Sequence, residues 1–563
     1  MRNILETDVL IIGTGGTGLR AALEAVKYNV QVACLGKEIT GKAHTCMAEG
    51  GYNAVLRNVD PDDSIEAHQM DTITGGAFLN DQALVNILVK ESPERILDLE
   101  MYGGVFDRTP DGRIMQRKFG KQSHPRTCYA GDYTGREILT TLVEAVRKEE
   151  DIELFDETFA TSLVVEDNQV TGTTFVDIKT GELNYFRAKA TVMAAGGGLR
   201  AYRITTNAQA DTGDGFVMAY KAGINIISME QIQFHPTGMA YPPSVRGTLV
   251  TEAVRGEGGR LFNAKGERFM KRYNLELMEL AGRDQVARSI TTEVQEGRGT
   301  EHGAVYLDVS HLSAHLIEER LPKMLEAHLE IGVDIRKEPM EVTPSAHYIM
   351  GGIEINNRAE TNLKGLYAAG EVTGGIHGAN RLGGNSLADT QVFGKIAGEN
   401  AAKFAKEQSL RKVSHLFYER EETQIYSLLE KNNGSSPAVL HDRLRDTMWD
   451  NVGIFRTEEG LKKALRELEA IKTELPRMSL ASSDTYYNTE WIRAMELINM
   501  VLMSEMIARS ALARKESRGA HTRMDFPQID NKNWLVVLNT WKRNGEMHIE
   551  KISLANIEIA PKT

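Results

Sequence analysis

Cysteine is nearly missing from this chain: Cys34, Cys46 and Cys128 are the three in 563 residues, and no two of them form a C-x-x-C pair. A disulfide framework is therefore excluded, and so is a self-contained iron–sulfur cluster, which needs a full set of cysteine ligands. No metal site is expected from these residues. Long hydrophobic runs are absent as well, with nothing approaching the roughly eighteen apolar residues of a membrane span. Residues 1–8 hold no signal-peptide core, so a cytoplasmic location is expected. Positive charge is outnumbered: 66 Lys and Arg against 78 Asp and Glu leave a formal net charge of −12, which argues against nucleic acid as a partner. A protein this acidic that handles a small anion must concentrate its positive charge locally. The length suits roughly three to four domains, and the chain shows no repeats and no low-complexity tract.

Glycine, in contrast, is plentiful and well placed. Val9-Leu10-Ile11-Ile12 reads as a strand running into Gly13-Thr14-Gly15-Gly16-Thr17-Gly18, followed by a helical segment from Leu19 to Val26 and a second strand from Val30 to Leu35. This is the βαβ dinucleotide fingerprint in its required context. Gly13 allows the tight turn, Gly15 lets backbone approach a pyrophosphate beside Gly16, and Gly18 lets helix and strand pack closely. The helix N-terminus offers free N–H groups to the phosphates. The acid that should follow on the second strand is missing, since the chain reads Leu35-Gly36-Lys37-Glu38. Either Glu38 takes the ribose slightly late, or Lys37 and backbone groups replace it.

Further on, residues 60–78 are polar and glycine-punctuated, with a loop expected at Gly75-Gly76. Helical spacing covers Asp81 to Met101, ending at Gly103-Gly104, and Gly135 to Lys148. Ile152 to Phe186 reads as a strand meander broken at Asp167-Asn168 and Thr180-Gly181, and Thr191 to Ala195 as a short buried strand. Asp211-Thr212-Gly213-Asp214-Gly215 opens a helix. From Gln233 to His347 charge clusters beside glycine, the texture of an inserted domain. Gly365 to Glu371 is a late strand, and Gly378 to Leu387 leads into a helix. After Asn400 the chain is helical, with a break at 431–437. Trp491, Ala494, Met495, Ile498 and Leu502 share one face of an amphipathic helix. Leu535 to Leu554 is a hairpin turning at Asn544-Gly545.

His44-Thr45-Cys46-Met47-Ala48-Glu49-Gly50-Gly51, following the Rossmann unit, resembles the flavoprotein subunit of succinate dehydrogenases and fumarate reductases, the complex II family. The resemblance runs along essentially the whole chain. It implies an α/β fold: a Rossmann-like FAD-binding domain (1–232 and 347–400) with an inserted α+β capping domain (233–346), a helical domain (401–516) and a small C-terminal domain (517–563). It also implies FAD, covalently held by His44 through the 8α-methyl group. Around that flavin it places Thr45, Gly50 and Gly51, Asp211 at the adenosine half, Glu371 on the ribose, and Asn385, Ser386 and Leu387 at a helix N-terminus facing the pyrimidine ring.

His235, Thr251, Glu252, Arg283, His347 and Arg381 match the family's dicarboxylate-site positions, with Phe119 lying over the substrate. A substrate with two carboxylates needs cationic or hydrogen-bonding groups at both ends, and arginine offers a planar fork for one. The resemblance makes Arg283 the proton-transfer residue, with Glu252 and Arg255 as the relay that restores its proton. It further implies an iron–sulfur partner subunit, docking near the loop from Cys128 to Gly135 and the C-terminal segment, and membrane contact only through partners. Two rivals stand beside it. An L-aspartate oxidase shares the fold but lacks the histidine, and a flavin electron-transfer subunit without its own substrate site has no need of Arg283, Glu252 and Arg381. The chain departs from the family pattern in a long loop at Met239 to Gly247 and in Ala253 after Glu252.

Overall fold

The computed structural model describes residues 4–412, 415–430, 433–554 and 557–561. The apolar run Val9 to Ile12 becomes the inner half of strand Ile4–Ile12, which lies parallel to Val32–Leu35 on one side and Leu183–Met193 on the other. Continuous apolar sequence suits a strand covered on both faces. Strand Ile152–Phe155 pairs parallel beyond Val32–Leu35. Strand Leu183–Met193 carries two neighbours along a single edge: Gln169–Asp177 runs antiparallel to its first half, and Leu366–Ala368 parallel to its last residues. Thr158–Glu166 completes this seven-stranded sheet. Helices Gly16–Ala25 and Asn385–Lys406 pack on each other over it.

Three local expectations change. The meander begins only at Thr158, because Ile152–Phe155 crosses to the other side of the sheet, and Thr191 to Met193 is the end of an 11-residue strand rather than a strand of its own. Residues 60–78 contain a helix, Ile65–Gly75, capped by Ser64, whose side chain accepts from the Ala67 N–H. Its buried residues include the polar His68 and Thr72, so no apolar stripe announces it. The break at 431–437 starts on Lys431 and Asn432, which lie outside the described residues, and ends where Ser436 caps helix Pro437–Asn451.

A second sheet, antiparallel throughout, is formed by Ile232–Met239, Met340–Ile349, Val305–Asp308 and Arg260–Phe262. It has its own apolar core, in which Val254, Leu261, Ile290 and Leu307 are fully buried, and Phe119 reaches into that core from outside the section. The C-terminal hairpin, Val536–Arg543 with Glu546–Ser553, turns at Asn544 (φ 52°) and Gly545 (φ 86°), the left-handed pair a two-residue hairpin requires. It adds to strand Ile226–Ile227, which also pairs with Gly352–Ile353.

Helices Pro437–Asn451, Glu458–Glu474 and Thr489–Ala513 share one continuous core with the large sheet. The last of these is buried nearly all round, not along one stripe, because it runs between the sheet and the other helices. Among the described residues no helix is long and apolar enough to cross a membrane. Trp491 opens that central helix fully buried, stacked on Tyr426, its Nε1 donating to the Ile425 carbonyl at 3.1 Å. Trp491→Ala is expected to lower the free energy of unfolding by about 3–5 kcal/mol, and Trp491→Phe by clearly less, in urea titrations followed by circular dichroism.

Candidate active site

At the C-terminal edge of the large sheet lies a cleft with about 1370 Å³ of empty space, part of it open to solvent. It runs from Lys37, Glu38 and Phe159 at one end, past Gly13 to Thr17, to His44, His347, Tyr348, Glu371 and Arg381 at the other. The glycine turn forms its middle wall. Gly13 has φ 115°, and a Cβ there would stand 2.2 Å from the Ala194 carbonyl oxygen; a Cβ on Gly18 would stand 1.8 Å from that of Gly13. Glycine at these two positions therefore lets the turn close tightly on the sheet and helix, because any side chain there would strike backbone. The Gly16 N–H is already given to Thr45 Oγ1 at 3.0 Å, which ties the segment after His44 to the turn.

Lys37 Nζ donates to Thr212 Oγ1 at 2.6 Å and pairs with Asp214 at 2.7 Å and Glu496 at 2.8 Å. Its charge is thus committed within the protein. On the other side of the same turn, Asp211 meets His44, with Oδ2 3.3 Å from Nδ1. The turn before helix Asp214–Lys221 therefore reaches both Lys37 and His44. Glu371 is half-buried in the cleft wall, its Oε1 accepting from the Ile349 N–H at 3.1 Å; desolvation, with Asp211 close by, pushes its carboxyl up to about 8. Gly15, Ser386 and Leu387 line the cleft too.

Gly18, Gly50, Gly51 and Asn385 do not line it. Gly50 packs under the Phe119 ring, and Gly51 makes room for the Cys128 carbonyl. Asn385 is a hub behind the wall: its Oδ1 accepts from Asn53 Nδ2 at 2.7 Å and faces His68 Nε2 at 2.9 Å, while its Nδ2 donates to Thr72 Oγ1 at 3.0 Å. The loop from Cys128 to Gly135 is buried apart from Tyr133, and Asp132 in it accepts the N–H groups of Lys323 and Met324. Burial pushes the Cys34 thiol up to about 12 and raises Cys128 and Cys46 as well, so none is poised as a thiolate ligand.

Behind the Arg381 end sits a buried charged cluster. Thr251 caps helix Glu252–Gly256, accepting the Ala253 N–H at 3.3 Å and keeping its own hydroxyl proton to donate. Glu252 is the first residue of that helix, and Arg283 the first of Arg283–Glu293. Glu252 Oε2 takes Arg283 Nε at 2.8 Å and Nη2 at 2.7 Å, while its Oε1 is held by the Gly120 N–H at 2.9 Å. Burial opposes this carboxylate's charge, but Arg283 and Arg255 outweigh it and hold the group below its ordinary range. Arg255 donates Nη1 to the Glu279 carbonyl at 2.8 Å and has Nη2 4.0 Å from Glu252, and among the described residues neither Nε nor Nη2 has a hydrogen-bond partner.

The two histidines are neutral. The His235 and His347 rings lie 5.0 Å apart, tilted by 56°, and burial first, then neighbouring positive charge, drops both well below the ordinary range. His347 Nδ1 meets Thr206 Oγ1 at 2.7 Å, and His235 Nδ1 faces the Thr237 carbonyl at 3.0 Å, leaving Nε2 of each ring available. Charge in the cluster therefore comes from three arginines and one carboxylate, two positive charges in all. Gln233 carries no signal in the sequence beyond its place before Phe234 and His235, yet its Oε1 accepts from Arg283 Nη1 and Arg381 Nη2, each at 3.1 Å. Its Nε2 is fixed by Asn380 Oδ1 and the Arg381 carbonyl, both at 2.8 Å.

Residues 8–387 match the FAD binding domain family, and residues 441–563 the fumarate reductase flavoprotein C-terminal family. The chain is 51% identical over 526 residues to a fumarate reductase (CoM/CoB) subunit of Methanothermobacter marburgensis, covering 93% of this chain and 95% of that protein. It belongs to the succinate dehydrogenase and fumarate reductase flavoproteins. The Escherichia coli fumarate reductase flavoprotein subunit is 38% identical over 94% of the chain and 90% of its own length. A solved E. coli quinol fumarate reductase chain superposes with a TM-score of 0.95 at 36% identity, over 100% of this chain and 99% of that one. As a member of this family the chain is an FAD-dependent oxidoreductase, and its glycine-walled cleft fits the cofactor: backbone at the middle, with Asp211 and His44 facing each other toward one end.

Two carboxyls, the buried Glu49 and the half-buried Glu371, are pushed by desolvation up to about 8 from an ordinary value of 4.5. A carboxyl raised on folding gives a native state that holds more protons than the unfolded chain. Its stabilising contribution is full below about pH 4.5 and is lost as pH rises through 8. Glu371→Gln should therefore flatten the fall in melting temperature of the ligand-free protein between about pH 5 and 8. An unchanged slope would assign that fall to other groups.

Proposed function

We propose that this chain interconverts succinate and fumarate as the flavoprotein subunit of a larger enzyme. The observation that carries this reading is the buried excess of two positive charges beside the His44 end of the cleft, the complement of a ligand with two carboxylates. Arg381 and His347, which line the cleft, take one carboxylate. The Thr251 hydroxyl and His235 take the other, while Phe119 closes the site from the capping side. Bound FAD supplies or accepts a hydride at N5. Arg283 gives the proton to, or takes it from, the neighbouring carbon. An isolated guanidinium does not deprotonate, so Arg283 acts only because the Glu252 carboxylate touches it through two N–H groups and restores the proton. Arg255, with two unpartnered nitrogens, continues that relay outward.

Covalent attachment of FAD belongs to the same proposal. His44 Nδ1 is engaged by the protein, accepting the Ala208 N–H at 3.2 Å with Asp211 Oδ2 3.3 Å away. Nε2 is the ring nitrogen left to bond the 8α position. Electrons enter or leave through an iron–sulfur partner subunit, and any membrane contact is made by partners. The relative named for CoM/CoB is a fumarate reductase subunit, which supports reduction as the physiological direction. The L-aspartate oxidase reading is disfavoured by His44 in the cleft wall, and an electron-transfer subunit without a substrate site by the Arg283, Glu252 and Arg381 cluster.

Wild-type protein precipitated in acid should stay yellow and His44→Ser should not, although the variant keeps FAD when native and loses succinate oxidation more than fumarate reduction. Colourless acid-precipitated wild type would end the covalent reading. Arg283→Lys should leave malonate binding, read from the flavin spectrum, within a few-fold, while turnover falls by about 10² to 10⁴ in both directions. Glu252→Gln should act alike, and the double variant should be little worse than either, as expected for members of one relay. Full turnover with weakened malonate binding would make Arg283 a carboxylate clamp instead.

A further inference from the structure

Arg283 and Arg381 share Gln233, yet their surroundings differ in kind. Arg283 places two N–H groups on Glu252. Arg381 forms no ion pair among the described residues: Nη1 donates to Ser386 Oγ at 2.9 Å, Nη2 to Gln233 Oε1 at 3.1 Å, and Nε has no partner. Burial, with Arg283 nearby, lowers its guanidinium to about 10. A candidate counter-charge on the cleft wall, Glu371, is itself pushed up to about 8 and so is largely neutral at pH 7.

What holds Arg381 is an aromatic face. Its guanidinium carbon lies 4.4 Å from the centre of the Tyr348 ring. Guanidinium is planar, with all its donors on the edge and bare faces. A carboxylate partner would occupy the edge, the part a substrate carboxylate needs, whereas a ring stabilises the cation through the face and leaves the edge open. Tyr348 is backed in turn by two buried residues that the proposed reaction does not use. Burial and the Asp389 carboxylate hold its phenol protonated, and His377 stands edge-on at 5.5 Å, with Nε2 3.4 Å from Asp389 Oδ2. Asp389 and His377 are 1% and 3% exposed, so this backing is sealed from solvent.

We propose that Tyr348 is a positioning residue that fixes the Arg381 guanidinium by its face and so keeps its N–H edge free for a substrate carboxylate. The assignment rests on the dicarboxylate reading of the site. It predicts that anion affinity depends on the ring more than on the hydroxyl.

The test compares Tyr348→Phe, Tyr348→Leu and Asp389→Asn as FAD-loaded protein. The measurements are the malonate dissociation constant from the flavin spectrum, kcat and KM for fumarate with a reduced viologen donor, and FAD content. Tyr348→Leu should raise the malonate Kd and the fumarate KM about tenfold, with a smaller loss in kcat. Tyr348→Phe should restore most of the affinity, and Asp389→Asn should resemble it. FAD content and absorbance should match wild type in all three. Equal Kd values for the Leu variant and wild type would overturn the proposal, as would a Phe variant as weak as Leu. A loss confined to kcat would overturn it too. Should the Leu variant fail to retain FAD, the Phe and Asn variants still decide: either one weakening malonate tenfold or more refutes a ring-face anchor. A wild type that neither binds malonate nor reduces fumarate would remove the dicarboxylate reading along with it.

Discussion

Two like charges meet one neutral oxygen at the centre of this molecule. Gln233 Oε1 accepts from both Arg283 and Arg381, and the amide cannot turn because its nitrogen is fixed by Asn380 and the Arg381 backbone. Burying a guanidinium costs several kcal/mol unless it is well paired, and of these two only Arg283 is paired with a carboxylate among the described residues. The arrangement survives only if strand Ile232–Met239, the start of helix Arg283–Glu293 and the loop before helix Asn385–Lys406 are held in strict register. The rest of the fold accomplishes this. The large sheet fixes the last of these through helix packing, and the capping core around Leu261, Ile290 and Leu307 fixes the other two.

The same constraint explains an electrostatic contrast. The chain as a whole carries −12, while the cluster beside the cleft carries two positive charges and two histidines forced neutral. An acidic exterior repels small dicarboxylates in general, so the pull on them comes from the cleft, where low polarity strengthens each interaction. Neutral imidazoles make sense here: two more cations against three arginines would cost more than a bound ligand could repair.

Legibility in the sequence follows backbone necessity. Gly13 and Gly18 can be read because any Cβ would strike a backbone oxygen, and Asn544-Gly545 because a two-residue hairpin needs two left-handed residues. The charged cluster is legible as an ordered set of unusual residues beside glycine. What escapes are neutral side chains whose role depends on position alone. Gln233 and Tyr348 each lie within two positions of a histidine that carries the stronger signal. Asn385 looks like a cofactor contact in the sequence, yet it joins His68 and Asn53 behind the wall, while Lys37 does line the cleft with its charge locked to Asp214 and Glu496. Helix Ile65–Gly75 is hidden because it buries histidine and threonine, and helix Thr489–Ala513 looks one-sided because spacing cannot show that every side finds a neighbour.

The tie between Lys37 and Glu496 carries a temporal implication. The two residues stand 459 positions apart, and strand Ile226–Ile227, likewise, gains one of its two neighbours only from Val536–Arg543. One end of the cofactor cleft is therefore braced by a helix that leaves the ribosome long after the glycine turn. Until that helix is made, Lys37 lacks one of its two counter-charges and the cleft lacks its support, so firm loading of the cofactor falls late in synthesis or after it. A chain cut short before Thr489 would keep every glycine of the turn and still grip the cofactor poorly.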